Sequence, residues 1–178
     1  ARNPEPRFLL VGRDFKRKGG EVLLEAFRQV RRKMRNATLV IIGPELQNLP
    51  DGVECRGFLR RENPAHVEIL EEEYRKASVY VLPSLYEPFG ISLLEAMAHG
   101  LPCIGVREFA MPEIIVEGET GLLVERGDAG SLANAMLEIA ASPPMGTEFG
   151  IAGRKRLETQ FTWAAVARRM ADAMAVMT

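Results

Sequence analysis

Two glutamates, Glu87 and Glu95, are separated by seven residues in the stretch SLYEPFGISLLEAMAHGLP (84–102). A proline and a glycine place Glu87 in a loop, whereas Glu95 falls about one turn inside the helix that follows. The first amides of a helix lack intrahelical partners, so residues 90–92 form a potential anion site. Carboxylates repel phosphate but accept hydrogen bonds from vicinal hydroxyls. The arrangement suggests a nucleotide sugar, with its diphosphate at the helix start and its sugar and ribose hydroxyls on the two acids.

A second stretch, GRDFKRKGGE (12–21), concentrates positive charge after an apolar run. It carries Arg13, Lys16, Arg17 and Lys18, then two glycines and the start of a predicted helix. Guanidinium and ammonium groups beside free helix amides suit a diphosphate. The stretch matches neither G-x-x-x-x-G-K-[ST] nor G-x-G-x-x-G.

Each stretch can also be explained without a ligand, and the residues alone do not decide between the two explanations. The basic stretch can be a solvated loop. Glu87 can be an ordinary loop carboxylate and Glu95 an exposed helix residue.

Apolar runs that end in glycine or proline alternate with segments of helical spacing along the whole chain. The predicted strands are 7–12, 37–43, 53–58, 78–84, 101–106 and 120–125, and the predicted helices are 19–34, 63–77, 91–100, 128–142, 146–160 and 162–177, with a short helical turn in 111–118. This alternation predicts an α/β fold, a doubly wound parallel six-stranded sheet with helices on both faces, Rossmann-like in layout. In such folds ligands bind at the carboxyl ends of the strands, where both stretches fall.

Composition bounds the remaining possibilities. The chain has 178 residues, 47% of them apolar and 26% charged, with a net charge of −1. We expect one domain over 1–178, which opens with a linker-like stretch (ARNPEPR, 1–7), and no nucleic-acid partner. The sequence shows no transmembrane segment and no signal peptide. Cys55 and Cys103 are predicted to be buried free thiols, which indicates a cytoplasmic location.

Three stretches together resemble the C-terminal, donor-binding domain of retaining GT-B glycosyltransferases. They are GRDFKRKGGEVLLEAF (12–27), EPFGISLLEAMAHGLP (87–102) and PEIIVEGETGLLV (112–124). The pattern is similar to the group 1, or family 4, type that includes sucrose synthases. The likeness covers nearly the whole chain and keeps the family's motif order.

The resemblance implies roles for residues at the two helix starts. Arg13 and Lys18 would bind the donor diphosphate, together with the backbone at Gly90 and Ile91. Gly90 would also contact the donor sugar.

Further implied roles fall on the acids and on the loop after the third strand. Glu87 would be the catalytic residue and contact the donor sugar with Phe89, without being assigned as a covalent nucleophile. Glu95 would bind the ribose. Phe58 and Leu59 would receive the base.

The resemblance further implies transfer of a sugar, as a UDP or GDP sugar, with retention of anomeric configuration and with no cofactor or metal. The resemblance also implies a partner that this sequence does not contain, an N-terminal acceptor-binding domain, so this domain alone would be inactive. Whether the full-length protein contacts a membrane surface is left open by the resemblance. Alternatives are a nucleotide-sugar-binding domain of non-transferase function, either a GT-B-like epimerase half or a degenerate interaction module. One departure is REFAMPE (107–113), where Phe109 and Ala110 replace a glycine pair frequent in relatives.

Overall fold

In the computed structural model, which describes residues 5–176, six parallel strands form one sheet that seven helices connect and flank. In chain order the elements are β1 (Arg7–Val11), α1 (Gly20–Lys33), β2 (Thr38–Ile42), β3 (Val53–Cys55), α2 (Pro64–Lys76), β4 (Val79–Val81), α3 (Ile91–Ala98), β5 (Cys103–Val106), α4 (Met111–Ile114), β6 (Gly121–Val124), α5 (Ala129–Ala141), α6 (Pro143–Gln160) and α7 (Trp163–Val176). The predicted doubly wound α/β fold is confirmed.

The strand order places two chain-distant strands side by side at the centre of the sheet. The order is β3-β2-β1-β4-β5-β6, and β1 pairs in parallel with β4 through Phe8 and Leu9 opposite Val79 and Tyr80. The chain turns outward in opposite directions from these two strands. Their carboxyl ends therefore flank the crevice in which doubly wound folds bind ligands.

The core consists of strand residues buried from both faces of the sheet. Leu9 and Leu10 in β1 and Val40 and Ile41 in β2 are fully buried, as the continuous apolar runs of a covered parallel sheet require. Outside the sheet, α1 packs against α5 and α3 against α6. This packing holds the helix starts in place over the carboxyl edge.

Predicted element boundaries differ from the observed ones mainly at strand ends. The predicted strand 78–84 shortens to β4, because Leu82 and the proline after it lead into the loop that carries the first glutamate. Helix α6 begins at Pro143 rather than at 146, since proline is tolerated in the first turn, where no amide hydrogen bond is lost.

An ion cluster fastens α2 to the sheet. The Arg7 guanidinium contacts the Glu73 carboxylate at 2.8 Å and Glu54 at 3.2 Å, and Arg56 contacts Glu73 at 2.8 Å and Glu54 at 2.6 Å. Glu73 is buried, and burial alone would raise its pKa, but the two guanidiniums outweigh burial and its pKa lies below the ordinary value. The cluster thus fixes α2, which also carries a residue of the candidate site.

The cysteine prediction is correct for one thiol and partly wrong for the other. Both are free, and Cys103 is fully buried, but Cys55 is only half-buried because β3 is a short edge strand. The first four residues of the predicted linker and the end of the predicted helix 162–177 lie outside the described residues. Among the described helices, none is long and apolar enough to cross a membrane.

Candidate functional site

Glycines begin both helices at the crevice between β1 and β4. Gly19 precedes α1 with φ 72°, Gly90 precedes α3 with φ 95°, and no side chain caps either helix. A Cβ on Gly19 would lie 1.9 Å from the carbonyl oxygen of Pro83, so only glycine allows the loop after β1 to touch the loop after β4. Two uncapped helix starts, each with partial positive charge, therefore meet at this edge.

Lys18 and Glu87 join these two loops through a buried ion pair. The Lys18 ammonium donates to the Glu87 carboxylate, and both side chains are about nine-tenths buried. Arg17 adds a second cation, with its guanidinium 3.8 Å from the same carboxylate. Arg17 also contacts the Asp14 carboxylate at 3.6 Å, so two cations face two carboxylates and their charges balance.

The stem of Lys18 and the position of Glu87 bring this cluster to the start of α3. A Cβ on Gly12 would lie 2.8 Å from Lys18 Cγ, so the lysine runs back across the end of β1. A Cβ on Gly90 would lie 3.6 Å from Glu87 Cγ, which places the glutamate beside the first turn of α3. The free amides and the dipole at the start of α3 act on the space beside Lys18, and that space favours an anion.

Glu95 is held by two residues of the α2 region. The Tyr74 hydroxyl donates to Glu95 Oε2 at 3.0 Å, and the Arg61 guanidinium donates to Oε1. Burial raises the pKa of Tyr74 far above its ordinary value, so the phenol stays protonated and remains a donor. His99, at the C-terminal end of α3, stacks on the Tyr74 ring with the two ring centres 4.9 Å apart. Glu95 is therefore a fixed carboxylate with acceptor capacity left for hydroxyl groups.

The residues predicted to bind the base and the diphosphate meet on the other side of the crevice. The Arg13 guanidinium carbon lies 5.1 Å from the centre of the Phe58 ring, which is half-exposed. Leu59 packs partly buried against the core. Arg13 thus contacts an aromatic ring, whereas Lys18 pairs with the Glu87 carboxylate. A flat aromatic group could stack on the exposed part of the Phe58 ring beside Arg13.

The remaining predicted residues, Phe89 and Ile91, have exposed side chains at the entrance to α3. In REFAMPE, Phe109 adopts φ 61°, a left-handed conformation that glycine takes easily, and Ala110 precedes α4 in the right-handed region. The edge of the Phe109 ring meets the ring of Tyr86 at 5.4 Å. Position 109 therefore has the positive φ that is typical of glycine, although the residue is a phenylalanine.

The sequence analysis included Arg17 in the basic stretch but gave it no role of its own, and it did not identify the partners of Glu95. Tyr74 and Arg61 gave no signal, because only the tertiary fold brings α2 and the preceding loop to Glu95.

Comparison with known proteins decides the family. Residues 5–142 match the family model described as glycosyl transferases group 1. The chain belongs to this family. Among solved structures, sucrose-phosphate synthase from Thermosynechococcus elongatus aligns with a TM-score of 0.80 at 34% identity, covering 97% of this chain and 45% of that one. The expected resemblance is confirmed.

Two curated relatives match over most of the chain. Glycogen synthase of Mycobacterium tuberculosis is 33% identical over 92% of this chain and 41% of its own length. The GDP-mannose-dependent alpha-(1-6)-phosphatidylinositol monomannoside mannosyltransferase of Mycolicibacterium smegmatis is 28% identical over 94% of this chain and 47% of its own length. The chain spans 28–47% of the length of the curated relatives it matches.

A solved domain of the family has the same fold as this chain. It is the C-terminal domain of a glycosyl transferase group 1 family protein from Francisella tularensis, with a TM-score of 0.75 and 24% identity. The alignment covers 89% of this chain and 87% of that domain. A unit of this size has therefore been crystallised as a separate domain in that protein.

Proposed function

We propose that this chain binds a nucleotide-diphosphate sugar and presents it for glycosyl transfer. The observation that carries the proposal is the buried Lys18–Glu87 pair, which places a cation and a carboxylate beside the uncapped start of α3. Its position at the carboxyl ends of β1 and β4 is where doubly wound folds bind nucleotides.

Each part of the donor has a group suited to it. Lys18, Arg13 and the backbone at Gly90 and Ile91 bind the diphosphate, which is the most strongly charged part of the ligand. Glu95, held by Tyr74 and Arg61, accepts hydrogen bonds from the ribose hydroxyls.

The sugar and the base occupy opposite sides of the diphosphate. Glu87 accepts hydrogen bonds from the donor sugar near its reacting carbon, beside Phe89 and Gly90. Phe58 offers an exposed ring face to the base, next to Leu59, which packs partly buried against the core.

In the proposed reaction, the bond between the anomeric carbon and the diphosphate breaks. An acceptor hydroxyl bonds to that carbon with retention of configuration, and its proton passes to the leaving diphosphate. Arg13, Lys18 and the dipole of α3 stabilise the charge that develops on the leaving diphosphate, so the reaction needs no metal. Glu87 is the catalytic residue through its contact with the sugar. Donor binding that is unchanged by EDTA is the expected result, and a requirement for Mg²⁺ would contradict it.

Comparisons with relatives support a UDP or GDP sugar as donor. One sequence relative is named as GDP-mannose-dependent. The solved structures with the same fold include complexes that contain UDP.

We further propose that an N-terminal domain supplies the acceptor site and that this chain alone does not catalyse transfer. We also propose that the full-length protein acts in the cytoplasm, where it is free to contact a membrane surface peripherally.

The test uses the protein that contains this chain together with its acceptor half. Glu87→Ala should abolish sugar transfer and leave the affinity for the donor nucleotide nearly unchanged. Unchanged transfer would overturn the role of Glu87. Isomerisation of the donor sugar without any acceptor would instead favour the epimerase alternative, and nucleotide binding without either reaction would favour a degenerate module.

A further inference from the structure

Phe109 combines a strained backbone with a ring that is not buried. Its φ of 61° lies in the left-handed region, where the Cβ of a bulky residue crowds the backbone. The side chain is 38% exposed, so core packing does not explain its presence. Strain of this kind persists where the surroundings impose it and is concentrated at binding sites.

The ring of Phe109 is one half of an aromatic pair. It meets the ring of Tyr86 edge-on, with centroids 5.4 Å apart and planes at 79°. Tyr86 is 56% exposed, and its carbonyl oxygen accepts a hydrogen bond from Arg17 at 3.0 Å. The pair thus joins the loops after β4 and β5, which are neighbours in the sheet.

The pair also lies next to the residue that we assign to the donor sugar. Tyr86 directly precedes Glu87, and Arg17 contacts both the Tyr86 backbone and the Glu87 carboxylate. A glycine at position 109 could adopt the same backbone conformation without strain. The backbone conformation alone therefore does not explain why a phenylalanine stands here, which points to a role for its ring. Two rigid, exposed rings beside a hydroxyl-binding carboxylate form a surface with an apolar and a polar part.

We propose that Tyr86 and Phe109 form an aromatic wall of the donor-sugar subsite and select a hexopyranose that turns a face of C–H groups toward them. The inference rests on the proposed function and adds to it the side chains that discriminate among sugars. The negative face of an aromatic ring attracts weakly positive C–H groups, while Glu87 takes the hydroxyls on the other side.

The experiment measures how much the sugar changes the affinity for the nucleotide. Calorimetry on the 178-residue chain would compare UDP with UDP-glucose and GDP with GDP-mannose. Phe109→Gly keeps the left-handed backbone, so the fold is retained, and Tyr86→Ala removes the other ring. Both variants should leave the bare nucleotide affinity unchanged and should weaken binding of the matching nucleotide sugar by about threefold to tenfold. Ile151→Ala, an exposed apolar side chain on α6, is the matched control and should change neither affinity.

The outcomes separate this inference from the proposed function. If the unchanged chain binds no nucleotide, the proposed function fails and this inference fails with it. If the nucleotide binds but Phe109→Gly and Tyr86→Ala leave the nucleotide-sugar affinity unchanged, the aromatic wall is wrong and the nucleotide site stands. Loss of bare nucleotide affinity in either variant would also contradict the assignment, because it would place the rings elsewhere in the site.

Discussion

Lys18 and Glu87 are 69 residues apart in sequence, and their side chains form a buried ion pair where the loops after β1 and β4 meet. Removal of one partner leaves the other charge buried, which costs more than removal of both. Arg17 lies 3.8 Å away and limits that cost for Glu87.

Lys18→Met should therefore lower the free energy of unfolding by about 3 kcal/mol, the lower end for a broken buried pair. The double variant Lys18→Met/Glu87→Gln should recover most of that loss, since no unpaired buried charge remains. Urea unfolding of the two single variants and the double variant gives the coupling energy. Strictly additive effects would show that the two charges do not interact.

Tyr74→Phe tests whether the phenol positions Glu95 for a ribose. The variant keeps the ring that stacks on His99 and removes only the hydrogen bond to Glu95 Oε2. Affinity for the ribonucleotide that the chain binds should fall by about threefold to tenfold, the value of one hydrogen bond. Affinity for the 2′-deoxyribonucleotide should fall less, because it lacks one of the hydroxyls that Glu95 accepts. Equal losses for both nucleotides would argue for a purely structural hydrogen bond.

The ion cluster of Arg7, Arg56 and Glu73 predicts a pH dependence of stability. The pKa of Glu73 is lower in the folded chain than its ordinary value of 4.5, so its contribution is present above that pH and is lost as the pH falls below it. Urea unfolding between pH 7 and pH 3 should show this loss, and Glu73→Gln should remove it. Glu71→Gln, on an exposed position of α2, should leave the pH profile unchanged. A profile unaltered by Glu73→Gln would contradict the assignment.

Two glycines with the same backbone conformation form a matched pair of tests. Gly118 has φ 73°, and the Cβ of an alanine at that position would have no neighbouring atom within 4 Å. Gly19 has φ 72°, but the Cβ of an alanine there would overlap the carbonyl oxygen of Pro83. Gly118→Ala should cost about 1–2 kcal/mol through the left-handed conformation alone. Gly19→Ala should cost about 1–3 kcal/mol more, because the two loops must separate. Equal melting temperatures for the two variants would mean that the loops do not touch.

The fold could be predicted from the sequence because its signals are local. Buried parallel strands read as continuous apolar runs, as in Phe8–Leu10, and the helices between them carry an apolar face. Strand ends were less predictable, since apolar residues such as Leu82 continue past the last ladder pair into the loop.

The candidate site was predictable in its residue types and only partly in its contacts. The basic stretch and the two glutamates could be identified by spacing, but the pairing of Lys18 with Glu87 depends on β1 and β4 being neighbours. The contact of Arg61 with Glu95 depends in the same way on the path of the loop before α2. The positive φ at Phe109 was signalled only by the glycine pair frequent in relatives at this place, because phenylalanine itself is a poor residue for that conformation.

Binding of the donor nucleotide by this chain can be measured with a thermal-shift titration. UDP, GDP and ADP would be added to the unchanged chain, to Arg13→Ala and to Lys18→Ala, with Lys16→Ala as the control from the same loop. At about a hundredfold excess over Kd, a bound nucleotide adds about 2.7 kcal/mol of stability. For a chain of this size that corresponds to a shift of about 5–10 °C. We expect such a shift with UDP or GDP in the unchanged chain and in Lys16→Ala, and little or none in Arg13→Ala and Lys18→Ala. No shift with any nucleotide, or an equal shift in the Lys18→Ala chain, would contradict this expectation.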